Sequence, residues 1–324
     1  VTPTDTHTGP PPPDAAPLPT PIVIVGPTGS GKSEAALAVA EQLGGEVVNA
    51  DSMQMYRGMD IGTAKLPPAQ RRCIPHHLLD VLDVTETASV ARYRKQAGQV
   101  VDALRRDGTI PVIVGGSMMY IQGLIDDWQF PPTDPEVRQR WMVEQDRVGV
   151  ETLHDHLAAV DPQAAAVIER RDPRRIVRAL EVIELTGKPF SATQPDRNRP
   201  PRWNARIIGL QAPATWLSPR LEARVQRMFD SGLLTETRGL VERGLVEQST
   251  AGRAIGYSQA LAAIAGTMTV DEAQESTVVG TRRYARRQRS WFRRDPRIRW
   301  VEAGDPAAVA AVVQLAAEAQ ASGV

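Results

Sequence analysis

A single cysteine, Cys73, stands in the 324 residues. Internal disulfides and multi-cysteine zinc sites are therefore excluded, and the thiol itself reads as incidental. A reducing cytoplasm is the expected compartment. No apolar run approaches the length of a membrane span, so no membrane partner is expected. The first twenty residues lack the charged-then-apolar order of a secretion signal; their proline-rich text reads as a disordered leader outside the fold. The formal net charge is zero, so nothing global argues for a polyanionic partner. Any such argument must come from how the charges are distributed.

What is present is an alternation. Short Val- and Ile-rich runs recur as IVIV at 22–25, EVVNA at 46–50 and IPVIVG at 110–115, with RIIGL at 206–210 and IRWV at 298–301 further on. Helical text lies between the first three, at 33–43 and 91–106. Strands alternating with helices predict a parallel sheet covered on both faces, an α/β fold of the P-loop NTPase-like kind. From about Asp126 to Arg202 the strand signals vanish, and charged, mostly helical text is punctuated by "FPPTDP", "RRDPRR" and "NRPPR". The expected organisation is a catalytic core of 21–125 and 203–324 with a helical insertion at 126–202. Leu217, Leu221, Val225 and Phe229 form one stripe of a further amphipathic helix.

The most informative stretch is Gly26-Pro27-Thr28-Gly29-Ser30-Gly31-Lys32-Ser33. It matches G-x-x-x-x-G-K-[ST], with a strand before it and a helix after. Its glycines let backbone N–H groups converge on phosphate oxygens, and the helix N-terminus adds favourable partial charge. Lys32 is expected on the outer phosphate, and the Ser33 hydroxyl on a Mg²⁺ ion. A di- or triphosphate is implied; whether it belongs to ATP or to a substrate is not.

Two further loops fall at the same sheet edge. Asp51 follows the second strand at its carboxyl end, where open α/β sheets bind ligands. It could hold Mg²⁺, act as a general base, or cap a helix. Gly115-Gly116-Ser117 ends the third strand: a ligand-approaching loop with a hydroxyl beside it, or a tight turn. His76 and His77 have no cysteine neighbour or i, i+4 partner, so packing and hydrogen bonding are expected of them rather than metal.

Taken in order, "GPTGSGKS", "NADSMQMYRGMDIGTAK", "PHHLLD", "PVIVGGSMMY", "DPRRIVRALEV", "RAIGY" and "TRRYARRQRSWFRR" closely resemble the bacterial tRNA dimethylallyltransferases. The resemblance runs from Pro21 to the C-terminal region. It implies transfer of a dimethylallyl group from dimethylallyl diphosphate to N6 of an adenine beside the anticodon, with release of pyrophosphate. The phosphate loop would then grip the substrate's diphosphate. Asp51 falls on the family's catalytic base, and Ser117 where a threonine usually meets the leaving group. Arg253 matches an arginine associated with the pyrophosphate. Asp51, Ser52, Met53, Gln54, Ser117 and Arg138 fall on tRNA-contacting positions, as do Arg174, Arg175, Ile176, Val177 and Arg178. Ser258 departs from the pattern, standing where a basic residue is common. The family also implies tRNAs with an A36–A37–A38 run and a monomeric enzyme.

Charge patterning agrees with an RNA partner. Between 282 and 294 stand Arg282, Arg283, Arg286, Arg287, Arg289, Arg293 and Arg294, with no acid among them. Unpaired like charges repel, so a polyanion is the expected counterpart, with Arg282 and Arg286 on one helix face and the aromatics turned toward the sheet. A second cluster, Arg170 to Arg178, opens a helix where the macrodipole disfavours positive charge. Three rivals remain open at this stage: a P-loop kinase of a small metabolite, a nucleic-acid-binding ATPase switch, and a prenyltransferase acting on a free adenine nucleotide. The kinase leaves both arginine clusters without a role. The switch lacks an apolar strand ending in an acidic metal ligand.

Overall fold

The computed structural model describes residues 17–126, 128, 130–193 and 199–321. It divides into two compact units, one of residues 1–89, 95–118 and 203–324, the other of 90–94 and 119–202. Most of the expected leader lies outside the described residues. Its last residues are bound into the fold, since Arg105 donates to the Pro19 carbonyl at 2.8 Å and the Thr20 N–H donates to Gln320 at 3.0 Å.

The first unit is built on six parallel strands: β1 (Ile22–Val25), β2 (Gly45–Asn49), β3 (His76–His77), β4 (Ile110–Val114), β5 (Arg206–Gln211) and β6 (Arg299–Glu302). Their order is β3-β2-β4-β1-β5-β6. β1 lies between β4 and β5, with Ile22 opposite both Val112 and Arg206. Every residue of β1 is buried, which is why its text is continuously apolar rather than alternating. Helices α1 (Lys32–Leu43) and α12 (Ala308–Ala321) cover one face, where Ile22, Ile24, Val39, Val112, Ile208 and Val312 form the core. Each such fully buried side chain contributes about 1.5–3 kcal/mol. α1 stops at Gly44, in the left-handed region, whose N–H returns to the Ala40 carbonyl.

β3 has no apolar signature. His76 and His77 pair with Val47 and Val48 of β2, and His77 Nε2 lies 2.6 Å from Glu46. They pack and hydrogen-bond; among the described residues no metal-holding cluster of His, Cys, Asp or Glu occurs.

The first unit also holds α8 (Ala214–Asp230), α9 (Leu233–Glu242), α10 (Tyr257–Ile264) and α11 (Val270–Phe292). Leu217, Leu221 and Val225 are buried along α8 as their spacing predicts. α11 begins twelve residues before its arginine-rich text, at a capping box of Thr269 and Glu272. It packs on α8 and α10, not chiefly on the sheet as expected. Ala273, Thr277, Thr281, Ala285, Gln288 and Phe292 form its buried seam.

Helix α2 (Val90–Arg106) and helix α3 (Met118–Ile125) have residues in both units. The second unit contains α4 (Pro135–Val148), α5 (Val150–Val160), α6 (Pro162–Val167) and α7 (Pro173–Thr186). Three Asp-Pro pairs start three of them. Asp134, Asp161 and Asp172 each accept a backbone N–H from the first turn, and the following proline occupies the first helical position. Leu153, Leu157, Ile176, Val177 and Leu180 form this unit's own core.

Candidate active site

The phosphate loop leaves β1 and enters α1 through Gly31, which caps the helix in the left-handed region. Gly26 has φ +145°, and a Cβ there would lie 2.5 Å from the Leu210 carbonyl oxygen, so no larger residue fits between β1 and β5. Thr28, Gly29, Gly31, Lys32 and Ser33 line a cleft of about 1020 Å³ in the first unit. Ser30 is buried beneath it, its hydroxyl without a hydrogen-bond partner among the described residues. The Lys32 ammonium donates to Pro27 O at 2.6 Å, closing on its own loop. Burial, joined by the charge of Arg224, lowers its pKa to about 7, while Asp51 acts in the opposite sense.

Asp51 lines the same cleft. It caps no helix: its Oδ1 accepts the Met53 N–H at 3.0 Å, an Asx turn that aims the carboxylate off the end of β2. Its own N–H donates to Asn49 Oδ1 at 2.9 Å, and Asn49 Nδ2 reaches Leu78 O at 3.1 Å. The rest of this loop is pinned by two charges, the buried Lys65 and the half-buried Glu236. Lys65 donates to Asp60 at 2.7 Å, to Asp80 at 2.6 Å and to Tyr56 O at 2.8 Å. Glu236 accepts the N–H groups of Asp60, Ile61 and Gly62, and the Tyr257 hydroxyl at 2.6 Å. The loop is thereby preorganised before any substrate arrives.

The third loop stands beside it. Gly115 and Gly116 line the cleft, whereas Ser117 is buried behind them, accepting the Ser52 N–H at 2.9 Å and lying 3.2 Å from the Ser52 hydroxyl. Ser117 thus ties the loop bearing Asp51 to the end of β4. Gln54 also lines the cleft and donates to Thr63 O at 3.3 Å.

Four side chains not expected at the site complete it. Arg220, Arg224 and Arg227 enter from α8, and Tyr284 from α11. Arg224 donates to Thr63 O at 3.1 Å; burial lowers its pKa, Asp51 opposes this, and Arg227 adds to it. The arginines follow a spacing of four and three residues along the flank of the apolar stripe of α8. That second periodicity, legible in the sequence, is the signal that finds them. Tyr284, expected in the core, is half-buried at the cleft, and burial and Asp51 together raise its hydroxyl's pKa.

Other expected residues lie elsewhere. Arg253 is exposed on the turn before α10 and does not line the cleft, because Ala251, Gly252 and Ala254 are the buried members of that turn. Arg282 and Arg286 are exposed on α11 together with Arg283 and Arg287, but the row is not wholly unpaired, since Arg282 bonds Glu222. Arg289 is turned partly inward.

In the second unit, Ile176 and Val177 are core residues whose side chains do not reach solvent. The adjoining cluster is largely neutralised. Arg170 pairs with Asp155, Arg171 with Glu151 and Arg175 with Asp172. Arg138 and Arg178 converge on Glu181, which is wholly buried. Arg174 is exposed.

A P-loop, a carboxylate at the next strand end and a battery of arginines around one cleft define a phosphate-handling α/β enzyme. The sequence profile of the IPP transferase family matches residues 54–295, and the chain belongs to that family. Among its relatives, the tRNA dimethylallyltransferase of Corynebacterium urealyticum is 63% identical over 90% of each chain. That of Nocardia farcinica is 57% identical over 93% of this chain and 96% of its own. The full-length tRNA isopentenylpyrophosphate transferase of Bacillus halodurans superposes with a TM-score of 0.71 at 33% identity, covering 94% of this chain and 97% of that one. A eukaryotic dimethylallyltransferase acting on tRNA gives 0.71 at 27% identity, over 89% and 74%.

Proposed function

We propose that this chain is a tRNA prenyltransferase, moving the dimethylallyl group of dimethylallyl diphosphate to N6 of adenosine 37 beside the anticodon and releasing pyrophosphate. The observation that carries the reading is the meeting of Lys32 and Asp51 in one cleft, with Asp51 close enough for its charge to act on Lys32. Adenine's exocyclic amine is a poor nucleophile because its lone pair is delocalised into the ring. Asp51 accepts its proton as the C–N bond forms, a contribution of about 10²–10⁴ in rate. At the opposite end the allylic C–O bond breaks and negative charge gathers on the diphosphate. Lys32, Arg224 and the loop N–H groups are suited to hold that charge. The unpartnered Ser30 hydroxyl beneath the loop suits an anion as well.

A Mg²⁺ ion fits the donors present. The Ser33 hydroxyl lines the cleft and would hold the ion, and Mg²⁺ is commonly held by one or two protein oxygens plus phosphate. Bound there, it would neutralise part of the leaving group's charge. The basic rows of α11 and the exposed Arg174 supply contacts for the tRNA backbone, whose target base must leave its stack. The enzyme acts in the cytoplasm, where its tRNA substrate is, and as a monomer. Among the described residues no helix is long and apolar enough to cross a membrane.

The test is a paired radiolabel assay with Mg²⁺ and unmodified tRNA, one tube holding labelled dimethylallyl diphosphate and the other γ-labelled ATP. Prenyl label on tRNA without ATP consumption is the expected result. ATP turnover without prenyl transfer would return the loop to a nucleotide and revive the kinase or the switch.

A further inference from the structure

Gln288 sits in the last two turns of α11, on its buried seam, with 1% of its surface exposed. Its neighbours in sequence are arginines, yet it faces two loops far away in the chain. The Thr28 N–H of the phosphate loop donates to Gln288 Oε1 at 2.9 Å. Gln288 Nε2 donates to the Gly116 carbonyl, also at 2.9 Å. One turn earlier, the Tyr284 hydroxyl reaches the same carbonyl at 3.2 Å. The fit leaves no slack: a Cβ on Gly116 would stand 2.1 Å from Gln288 Nε2. The next residue, Ser117, accepts the Ser52 N–H, beside Asp51. A continuous path of short bonds therefore runs from the anion loop through one amide side chain to the loop bearing the base.

We propose that Gln288 is a positioning residue that fixes the separation between the diphosphate grip and the Asp51 base. The inference rests on the prenyl-transfer reading of the site. An amide is suited to this task because it donates and accepts at once, holding an N–H on one side and a carbonyl on the other. In the transfer, the attacking nitrogen, the allylic carbon and the departing oxygen must be aligned, and a misplacement of about 1 Å costs on the order of 10²-fold in rate. With the bolt removed, the anion loop still binds diphosphate and the allylic C–O bond can still break. The carbon is then open to water: a water oxygen bonds to it, the bonding pair leaves on pyrophosphate, and a proton passes to solvent, giving dimethylallyl alcohol. Loss of Gln288 should appear as uncoupling and not only as slowing.

The experiment counts prenyl groups placed on tRNA per pyrophosphate released, using the full chain, Mg²⁺, saturating tRNA and labelled dimethylallyl diphosphate. Gln288→Met keeps the length and removes both hydrogen bonds. Gln288→Glu keeps the acceptor for Thr28 N–H and loses the donor, and Tyr284→Phe removes the second donor to Gly116. The wild-type ratio is expected near one. In Gln288→Met it falls below about one half, with kcat reduced on the order of 10²-fold and KM for tRNA little changed. Should Gln288→Met fail to fold, the same ratio is read in the other two variants, where a smaller fall is expected. A lowered thermal midpoint with a ratio still near one and an unchanged kcat would reduce Gln288 to a structural bolt and overturn the inference. Wild-type enzyme that places no prenyl group on tRNA would instead overturn the reading beneath it.

Discussion

The Lys32 ammonium donates to the Pro27 carbonyl at 2.6 Å, so the cation of the phosphate loop is held by the loop itself. A diphosphate must draw that ammonium away, and the ammonium must be protonated to serve. Burial and Arg224 lower its pKa to about 7. Above that pH the free site is increasingly neutral at this atom, and binding must recruit a proton. Affinity for inorganic pyrophosphate is therefore expected to weaken as pH rises through about 7, approaching tenfold per unit beyond it. Calorimetry in two buffers of different ionisation enthalpy at pH 7.5 should register proton uptake. Lys32→Arg, always charged, serves as the control for the ligand's own titration. Identical pH profiles for the two proteins would count against the lowered lysine.

Asp51→Asn tests the proposed base apart from the scaffold. Asparagine keeps an oxygen for the Met53 N–H, so the Asx turn and the thermal midpoint should survive. Single-turnover prenylation is expected to fall about 10²–10⁴-fold. The substitution also removes the charge that raises the Lys32 pKa, moving the midpoint of pyrophosphate binding below 7. A wild-type transfer rate in this variant would end the base assignment.

These two residues were legible in the chain, and the reasons are local. A P-loop is written in consecutive residues, and Asp51 is placed by the strand before it. The strands β1, β2 and β4 were legible because burial on both faces selects unbroken Val and Ile. β3 was not, since His76 and His77 become a strand only by pairing with Val47 and Val48. Gln288 carries no signal of its own: its partners are backbone atoms 260 and 172 positions away. Arg224 was concealed differently, by an apolar stripe on α8 that explains the helix well enough to draw attention from the residues bordering it. The salt bridges that neutralise Arg170 and Arg171 come from another helix, and no local charge count contains them, unlike the i, i+3 pair of Arg175 with Asp172.

Arg224→Gln tests the face of α8 that the sequence expectation left out. If Arg224 holds the diphosphate, removing a charge-assisted contact costs about 1.5–3 kcal/mol, or roughly ten- to a hundredfold in pyrophosphate affinity. Its charge also lowers the Lys32 pKa, so its loss should move the binding midpoint above 7, opposite to the shift from Asp51→Asn. Equilibrium titrations from pH 6 to 9 read both effects. Weakened binding with an unmoved midpoint would mean that Arg224 does not share the anion site with Lys32.

Arg174 and Arg178 were expected to serve alike, and the second unit assigns them different work. Arg178 donates to Glu181 at 2.9 Å and to the Pro131 and Pro132 carbonyls at 2.8 and 2.9 Å. Glu181 has no exposed surface and also accepts the Asp134 N–H and Arg138. Burial pushes its pKa up, but Arg178, the Asp134 N–H and Arg138 outweigh it, leaving the carboxyl below its ordinary value. A depressed carboxyl pKa contributes stability that is present above the unfolded value of about 4.3 and lost as pH falls through the folded one. Arg178→Ala is expected to cost about 3 kcal/mol and to move the acid limb of unfolding to higher pH. Arg174→Ala should leave stability within about 0.5 kcal/mol and lower the salt slope of tRNA binding by about one. Denaturant titrations from pH 3 to 7 and filter binding across salt concentrations measure the two. A reversed pattern, with Arg178 setting the salt slope and Arg174 the stability, would mean that the carboxylate cage around Glu181 opens when RNA binds.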